Sequence, residues 1–169
     1  FGTTLMHDGR VVTLTPGRLT APGELVLPGD ISSAAFFLVA AACVPGSRVT
    51  LLDVGLNPSR TGLLAVLSRM GAKLQYTHLV GENWEPRGTI TVESSPLRGV
   101  TLEPAQVPGI IDELPILMVA AACAQGLTRL SGVGELRVKE TDRIQSMVTG
   151  LQRLGAAIRV VGSDTVEIE

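Results

Sequence analysis

Residues 137–143, Arg-Val-Lys-Glu-Thr-Asp-Arg, put five ionisable side chains into seven positions of a chain in which only 18% of residues are charged. Lys139 is one of just two lysines among 14 cationic residues. Such crowding suits a segment that grips a polyanionic ligand and moves a proton: cations hold the ligand's charge, and a carboxylate beside them exchanges the proton. The pattern predicts a helix from Lys139 to Leu154, with Ile144, Met147, Val148, Leu151 and Leu154 as its apolar stripe. Glu140 lies four residues before Ile144 and continues that stripe, so its carboxylate is expected against protein and out of bulk water. Lys139 and Arg143 form an i, i+4 pair beside it. A solvated helix start with routine ion pairs is the competing account.

Two further helix starts carry suitable groups. Pro28-Gly29-Asp30-Ile31-Ser32-Ser33 opens an apolar helix, where Asp30 or Ser32 can cap and Ser33 sits among free backbone N–H groups able to bind phosphate or carboxylate. Pro108-Gly109-Ile110-Ile111-Asp112-Glu113-Leu114-Pro115 opens a second. Here Asp112 is the expected N-cap and Pro115 is tolerated in the first turn. An acid in that position stays ionised and can accept a hydrogen bond from a hydroxyl or act as a base, although capping alone is the more common explanation of both starts.

The elements that place these groups form an internal repeat. Val39-Ala-Ala-Ala-Cys43 recurs as Val119-Ala-Ala-Ala-Cys123, 80 residues on, whereas Arg69-Met-Gly-Ala72 recurs as Arg153-Leu-Gly-Ala156, 84 residues on. The four extra residues fall beside the charged run, about one helical turn. The first copy has Asn57-Pro-Ser-Arg-Thr-Gly62 there, so the longer charged version serves function rather than scaffold. Residues 24–94 read as one βαβαββ unit: strand 25–27, helix 32–44, strand 47–53, helix 61–70 ended by Gly71, then strands 73–80 and 89–93. Residues 99–169 repeat it, with strands 100–102, 127–131, 157–161 and 165–168 and helices 112–124 and 139–154. Residues 1–16 read as the tail of a preceding unit, so 1–169 is one incomplete domain. The fold class is α/β: repeated βαβαββ units with mixed sheets, the apolar first helices at the centre and the sheets outside.

With 45% hydrophobic residues, 169 residues can bury roughly 70% of their unfolded surface without disulfide or metal. A formal charge of −2 and no dense Lys/Arg stripe argue against nucleic acid. No apolar run reaches membrane-spanning length; Ala34 to Val44 stops at Pro45-Gly46, so the chain is expected to be soluble. Starting at Phe1 rather than methionine, it is expected to be a fragment or a processed chain. Cys43 and Cys123 read as small buried hydrophobes, with no spacing to support a disulfide or metal. His7 and His78 read as surface residues. There is no metal cluster, nucleophilic triad, Walker loop or dinucleotide fingerprint.

The helix start 28–33, the Ile111-Asp-Glu-Leu-Pro115 segment and Glu135-Leu-Arg-Val-Lys-Glu-Thr-Asp-Arg143 together resemble the 5-enolpyruvylshikimate-3-phosphate (EPSP) synthase family, over the whole chain and in order. The last motif is highly specific. The resemblance implies the enolpyruvyl transferase fold, an inside-out α/β barrel of two domains with three repeats each, of which this chain covers most of the second. It implies a cytoplasmic enzyme of the shikimate pathway, joining phosphoenolpyruvate to the 5-hydroxyl of shikimate 3-phosphate by addition and elimination without metal or cofactor. Ser33 then stands for a serine on the shikimate phosphate, and Phe36 for an aromatic ring packed on shikimate, where some members have tyrosine. Asp112 corresponds to the aspartate on the substrate hydroxyls and proposed base, and Lys139 to the lysine contacting both substrates. Glu140 corresponds to the proposed proton donor and acceptor, and Arg143 to an arginine on phosphoenolpyruvate or the inhibitor glyphosate. Glu135 stands where some members have asparagine. With Phe36 and the Asn-Pro-Ser-Arg-Thr-Gly run, the chain resembles the bacterial class that includes glyphosate-tolerant forms. The family's amino-terminal Lys-Ser and arginine, its Ser-Ala/Ser-Gln motif and its carboxy-terminal Asp-His-Arg and lysine have no counterpart here. The expected partner is therefore the remainder of the same enzyme, without which turnover is expected to be almost nil. Two alternatives stand beside this reading: the sister transferase acting on UDP-N-acetylglucosamine, against which the Lys-Glu-Thr-Asp-Arg run argues, and a non-catalytic packing or interaction domain.

Overall fold

The structure is a computed structural model that describes residues 1–79 and 85–169. A two-stranded hairpin, β1 (Leu5–Asp8) and β2 (Val11–Leu14), turns at Gly9 with φ near +57°, which glycine adopts freely. There follow α1 (Ile31–Cys43), β3 (Arg48–Gly55), α2 (Gly62–Arg69), β4 (Lys73–Leu79) and β5 (Arg87–Glu93). The order then recurs as β6 (Thr101–Leu102), α3 (Leu114–Ala122), β7 (Thr128–Leu130), α4 (Arg143–Arg153), β8 (Ile158–Val161) and β9 (Thr165–Ile168). Val80 and the side chain of His78 lie outside the described residues; His7 is exposed on β1, paired with Val12.

The first unit forms a three-stranded antiparallel sheet ordered β3-β5-β4; the second is four-stranded, β6-β7-β9-β8, with β6 parallel to β7 and the rest antiparallel. The strand expected at 25–27 does not form. Only Gly29 joins the first sheet, as a parallel bridge to Val54, while Val26 and Leu27 are exposed. Pro22 and Pro28 bracket that stretch and donate no hydrogen bonds, and it has no surface to bury its side chains against.

α1 and α3 pack together, burying Ala35, Leu38 and Ala42 from one and Leu114, Leu117, Met118 and Ala121 from the other. The sheets and the amphipathic helices α2 and α4 enclose them, through Leu63, Leu67, Ile90, Leu130, Ile144 and Val166. α1 is not covered all round, however: Phe36 and Phe37 are about 60% exposed, and Ala40 and Val44 line the same open side. α2 and α4 both end at a glycine with φ above +90°, Gly71 and Gly155, whose N–H bonds back into the last turn. α4 has 11 residues against 8 in α2, so its extra length lies at the N-terminal end.

That end differs from the sequence expectation. The helix begins at Arg143 rather than Lys139, because Asp142 caps it by accepting from the Gln145 N–H at 2.9 Å. Residues 134–137 form a 3-10 turn, so Lys139 and Glu140 lie in the loop before the helix. At the other end Leu154 is the C-cap and is exposed rather than part of the buried stripe.

Candidate active site

Asp30, the N-cap of α1, accepts from the backbone N–H groups of Ser32 and Ser33 and from the Ser33 hydroxyl at 2.7 Å. The Ser33 hydroxyl bond is the main reason its carboxyl titrates below the ordinary range. Ser33 is thereby tied to its own helix start. Ser32 points across to the second unit, where its hydroxyl donates to Glu113, only 3% exposed.

Asp112 is not the cap of α3. It sits inside a 3-10 turn, Ile111–Glu113, and Glu113 takes the cap position of α3 without a side-chain cap bond, with Pro115 in the first turn as expected. Freed from capping, Asp112 faces two guanidinium groups. Arg60, from the 57–62 loop of the first unit, donates from Nη1 to Asp112 Oδ2 at 3.2 Å; Arg143, the first residue of α4, lies 4.0 Å from Oδ1. The other Arg60 nitrogen, Nη2, donates to Ser32 Oγ at 2.9 Å and stands 3.6 Å from Glu113 Oε1. One arginine thus joins the start of α1, the turn before α3 and the loop before α2.

Arg143 carries the chain of charge onward. Its Nη2 donates to Glu140 Oε2 at 2.6 Å. The shielding expected for Glu140 is absent: its side chain is 78% exposed, because the segment that carries it is a loop rather than the first turn of an amphipathic helix. Its carboxyl nonetheless titrates below the ordinary range, through its own backbone N–H first and the Arg143 hydrogen bond second. Nor do Lys139 and Arg143 form a helical pair; Lys139 Nζ lies 3.4 Å from Glu135 Oε1 instead. Arg137 is spent on structure, binding Asp142 at 2.8 Å and the Ser163 carbonyl at 2.9 Å. Phe36 stands one turn below Ser32 and Ser33 on the open side of α1.

The structure therefore joins Asp112, Arg143 and Glu140 directly, reaches α1 through Ser32 rather than Ser33, and leaves Lys139 held by Glu135. Arg60 and Glu113 are functional candidates that the sequence reading passed over. The signal for Glu113 was a charge beside Leu114 and Ile111 at the start of an apolar helix, which has to be paired once buried. The larger cavities lie elsewhere, along Arg159 and Glu167 at the β8–β9 edge and between the far ends of α1 and α3. Those walls lack this meeting of charges from several elements, and the shallow depression lined by Ser59, Arg60, Gly109, Ile111, Asp112 and Glu113 is the better candidate.

Such an arrangement can bind an anion through guanidinium groups and accept a proton at Asp112. A family model for EPSP synthase (3-phosphoshikimate 1-carboxyvinyltransferase) matches residues 1–169. A 3-phosphoshikimate 1-carboxyvinyltransferase of Coxiella burnetii is 50% identical over 93% of the chain, which spans 36% of that protein. The solved EPSP synthase of Acinetobacter baumannii matches the whole chain at 42% identity with a TM-score of 0.84, and the chain spans 38% of it. The enolpyruvyl transferase NikO of Streptomyces tendae, at 19% identity and a TM-score of 0.62, shares the fold. The chain belongs to the EPSP synthase family.

Proposed function

We propose that this chain supplies one half-site of an enzyme that transfers the enolpyruvyl group of phosphoenolpyruvate to the 5-hydroxyl of shikimate 3-phosphate. The observation that carries this reading is Asp112 set between Arg60 and Arg143, where three helix-start segments meet. Both substrates are polyanions, and guanidinium groups bind phosphate and carboxylate in a two-point fashion. Asp112 accepts hydrogen bonds from the acceptor's hydroxyls and takes the 5-hydroxyl proton as that oxygen attacks C2 of phosphoenolpyruvate. The methylene carbon gains a proton in the same addition; elimination then removes a proton from that carbon and releases inorganic phosphate.

Glu140 is assigned to the methylene. As it stands, its own backbone N–H and then Arg143 hold its carboxyl below the ordinary range, which suits accepting a proton but not giving one. When the anion of phosphoenolpyruvate takes Arg143, Glu140 loses its hydrogen-bonded cation and its pKa rises toward the range needed for donation. Lys139, four residues before the first residue of α4, releases Glu135 to reach ligand phosphate. Ser33 and Phe36 contribute the α1 side of the acceptor pocket, a phosphate contact and an apolar wall. Closure against the rest of the protein supplies the shielding that Glu140 lacks here.

Phosphate release from the two substrates tests the reading. The complete polypeptide carrying this segment turns over, and Asp112→Asn or Glu140→Gln lowers kcat by about 10²–10⁴. The 169-residue chain alone shows almost no turnover. Unchanged kcat in both variants would remove Asp112 and Glu140 from the chemistry, and near-full activity of the isolated chain would refute the half-site.

A further inference from the structure

Cys43 and Cys123 take no part in this site. They stand at the C-terminal ends of α1 and α3, away from the Arg60–Asp112 cluster, and the length of α1 alone puts about 20 Å between the two places. Neither is the buried hydrophobe its surrounding alanines suggest: Cys43 is half-buried and Cys123 is exposed, because the core thins where the helices end. Both border one cavity of about 300 Å³. The segment after β5 fastens the two helix ends to each other there. Ser95 N–H donates to the Ala42 carbonyl at 3.3 Å, Gln125 N–H to the Leu97 carbonyl at 2.8 Å, and Gly46 N–H to Ser94 Oγ at 2.9 Å. The two thiols border that same cavity, although they are 80 residues apart in sequence (43 to 123). Burial first, and then its neighbouring thiol, push the Cys43 pKa up to about 12.

We propose that Cys43 and Cys123 are a modification site at which a low-molecular-weight disulfide is reduced and an intramolecular disulfide joins the two repeats. The exposed Cys123, as thiolate, attacks one sulfur of the reagent RSSR, forming a Cys123–SR bond and releasing RS⁻. That thiolate takes the proton of the Cys43 thiol. Cys43 sulfur then attacks Cys123 Sγ, forming the Cys43–Cys123 bond and expelling a second RS⁻, which is protonated from solvent. The protein loses two electrons and two protons, and the reagent becomes two thiols. Each cysteine is followed within three residues by a glycine at positive φ, Gly46 (+77°) and Gly126 (+83°). The movement that brings the sulfurs across their shared cavity to bonding distance therefore falls on helix ends and turns, not on packed core.

The test incubates the reduced, folded chain with oxidised glutathione, blocks remaining thiols with N-ethylmaleimide and reads intact mass and a peptide map. The expected product is lighter by two hydrogens, carries neither glutathione nor maleimide, links the peptides of Cys43 and Cys123, and reverts with dithiothreitol. Cys43→Ser traps glutathione on Cys123, and Cys123→Ser reacts about tenfold more slowly or less. In denaturant the linked product gives way to glutathione adducts, because fold-imposed proximity is lost. Glutathione held on Cys123 of the wild-type chain with Cys43 still open to maleimide, cross-linked dimers, or equal linkage in denaturant would each overturn the proposal. None of these outcomes bears on the transferase reading.

Discussion

Arg60, outside the charged run, ties Ser32, Asp112 and Glu113 together. Glu113 is almost wholly buried, and its carboxylate is satisfied by Ser32 and by the half-exposed Arg60 guanidinium. Removing the arginine leaves a buried acid with one neutral donor, a larger penalty than losing a surface ion pair. Arg60→Ala should therefore lower stability by about 2 kcal/mol, less than a fully buried pair because water reaches the guanidinium. Urea denaturation measures this, and adding Glu113→Gln should restore most of the loss; a double variant as unstable as the sum of the two singles would show that they do not act together. Arg143 stands out in the sequence through a highly specific motif, and Asp112 through a helix-start segment that is weak alone. Arg60 does not, since its partner Asp112 lies 52 positions away and nothing local distinguishes Arg60 from a solvated loop cation. Glu140 was legible as a residue but not in its setting: its burial was inferred from a helical period that does not extend to it.

At the scale of elements, the sequence located most helices and strands and misjudged two starts, both through capping. Asp142 was counted inside a helix that it begins, and Asp112 was given a capping role that its 3-10 turn does not require. Periodicity shows that a helix exists, whereas its first residue is decided by which side chain satisfies the free N–H groups. Asp30, one of the two caps the sequence allows at that helix start, is the one that forms, and it allows a test of sign. Its carboxyl titrates below its ordinary value of 3.8 in the folded chain, so the cap contributes fully above that value and fades as pH falls through the lowered one. Asp30→Ala should cost about 1 kcal/mol near neutral pH. The gap between variant and wild type, followed by urea denaturation in a pH series, should close as the pH falls through that lowered value. A gap of constant size down to pH 2 would mean that the carboxylate is not what holds this helix start.

After the β1–β2 hairpin, two successive runs of strands and helices leave one side of α1 open. The recurrence of Val-Ala-Ala-Ala-Cys announced two equivalent central helices, and α1 and α3 do pack together. It could not reveal that their coverage is unequal: no residue of α3 is exposed, whereas α1 presents Phe36, Phe37 and Val44 to solvent. The difference lies in what each helix packs against, which the near-identical local sequences cannot encode. The chain spans little more than a third of the relatives it matches. Exposed aromatic surface favours self-association, since burying Phe36 and Phe37 of each copy removes apolar area from water. Sedimentation velocity of the 169-residue chain should show a weight-average mass that rises with concentration. Phe36→Ser with Phe37→Ser should hold the chain monomeric without changing its circular dichroism, because neither ring contributes to the buried core. A wild-type chain that stays monomeric over the whole range, or a double variant that associates equally, would place the sticky surface elsewhere.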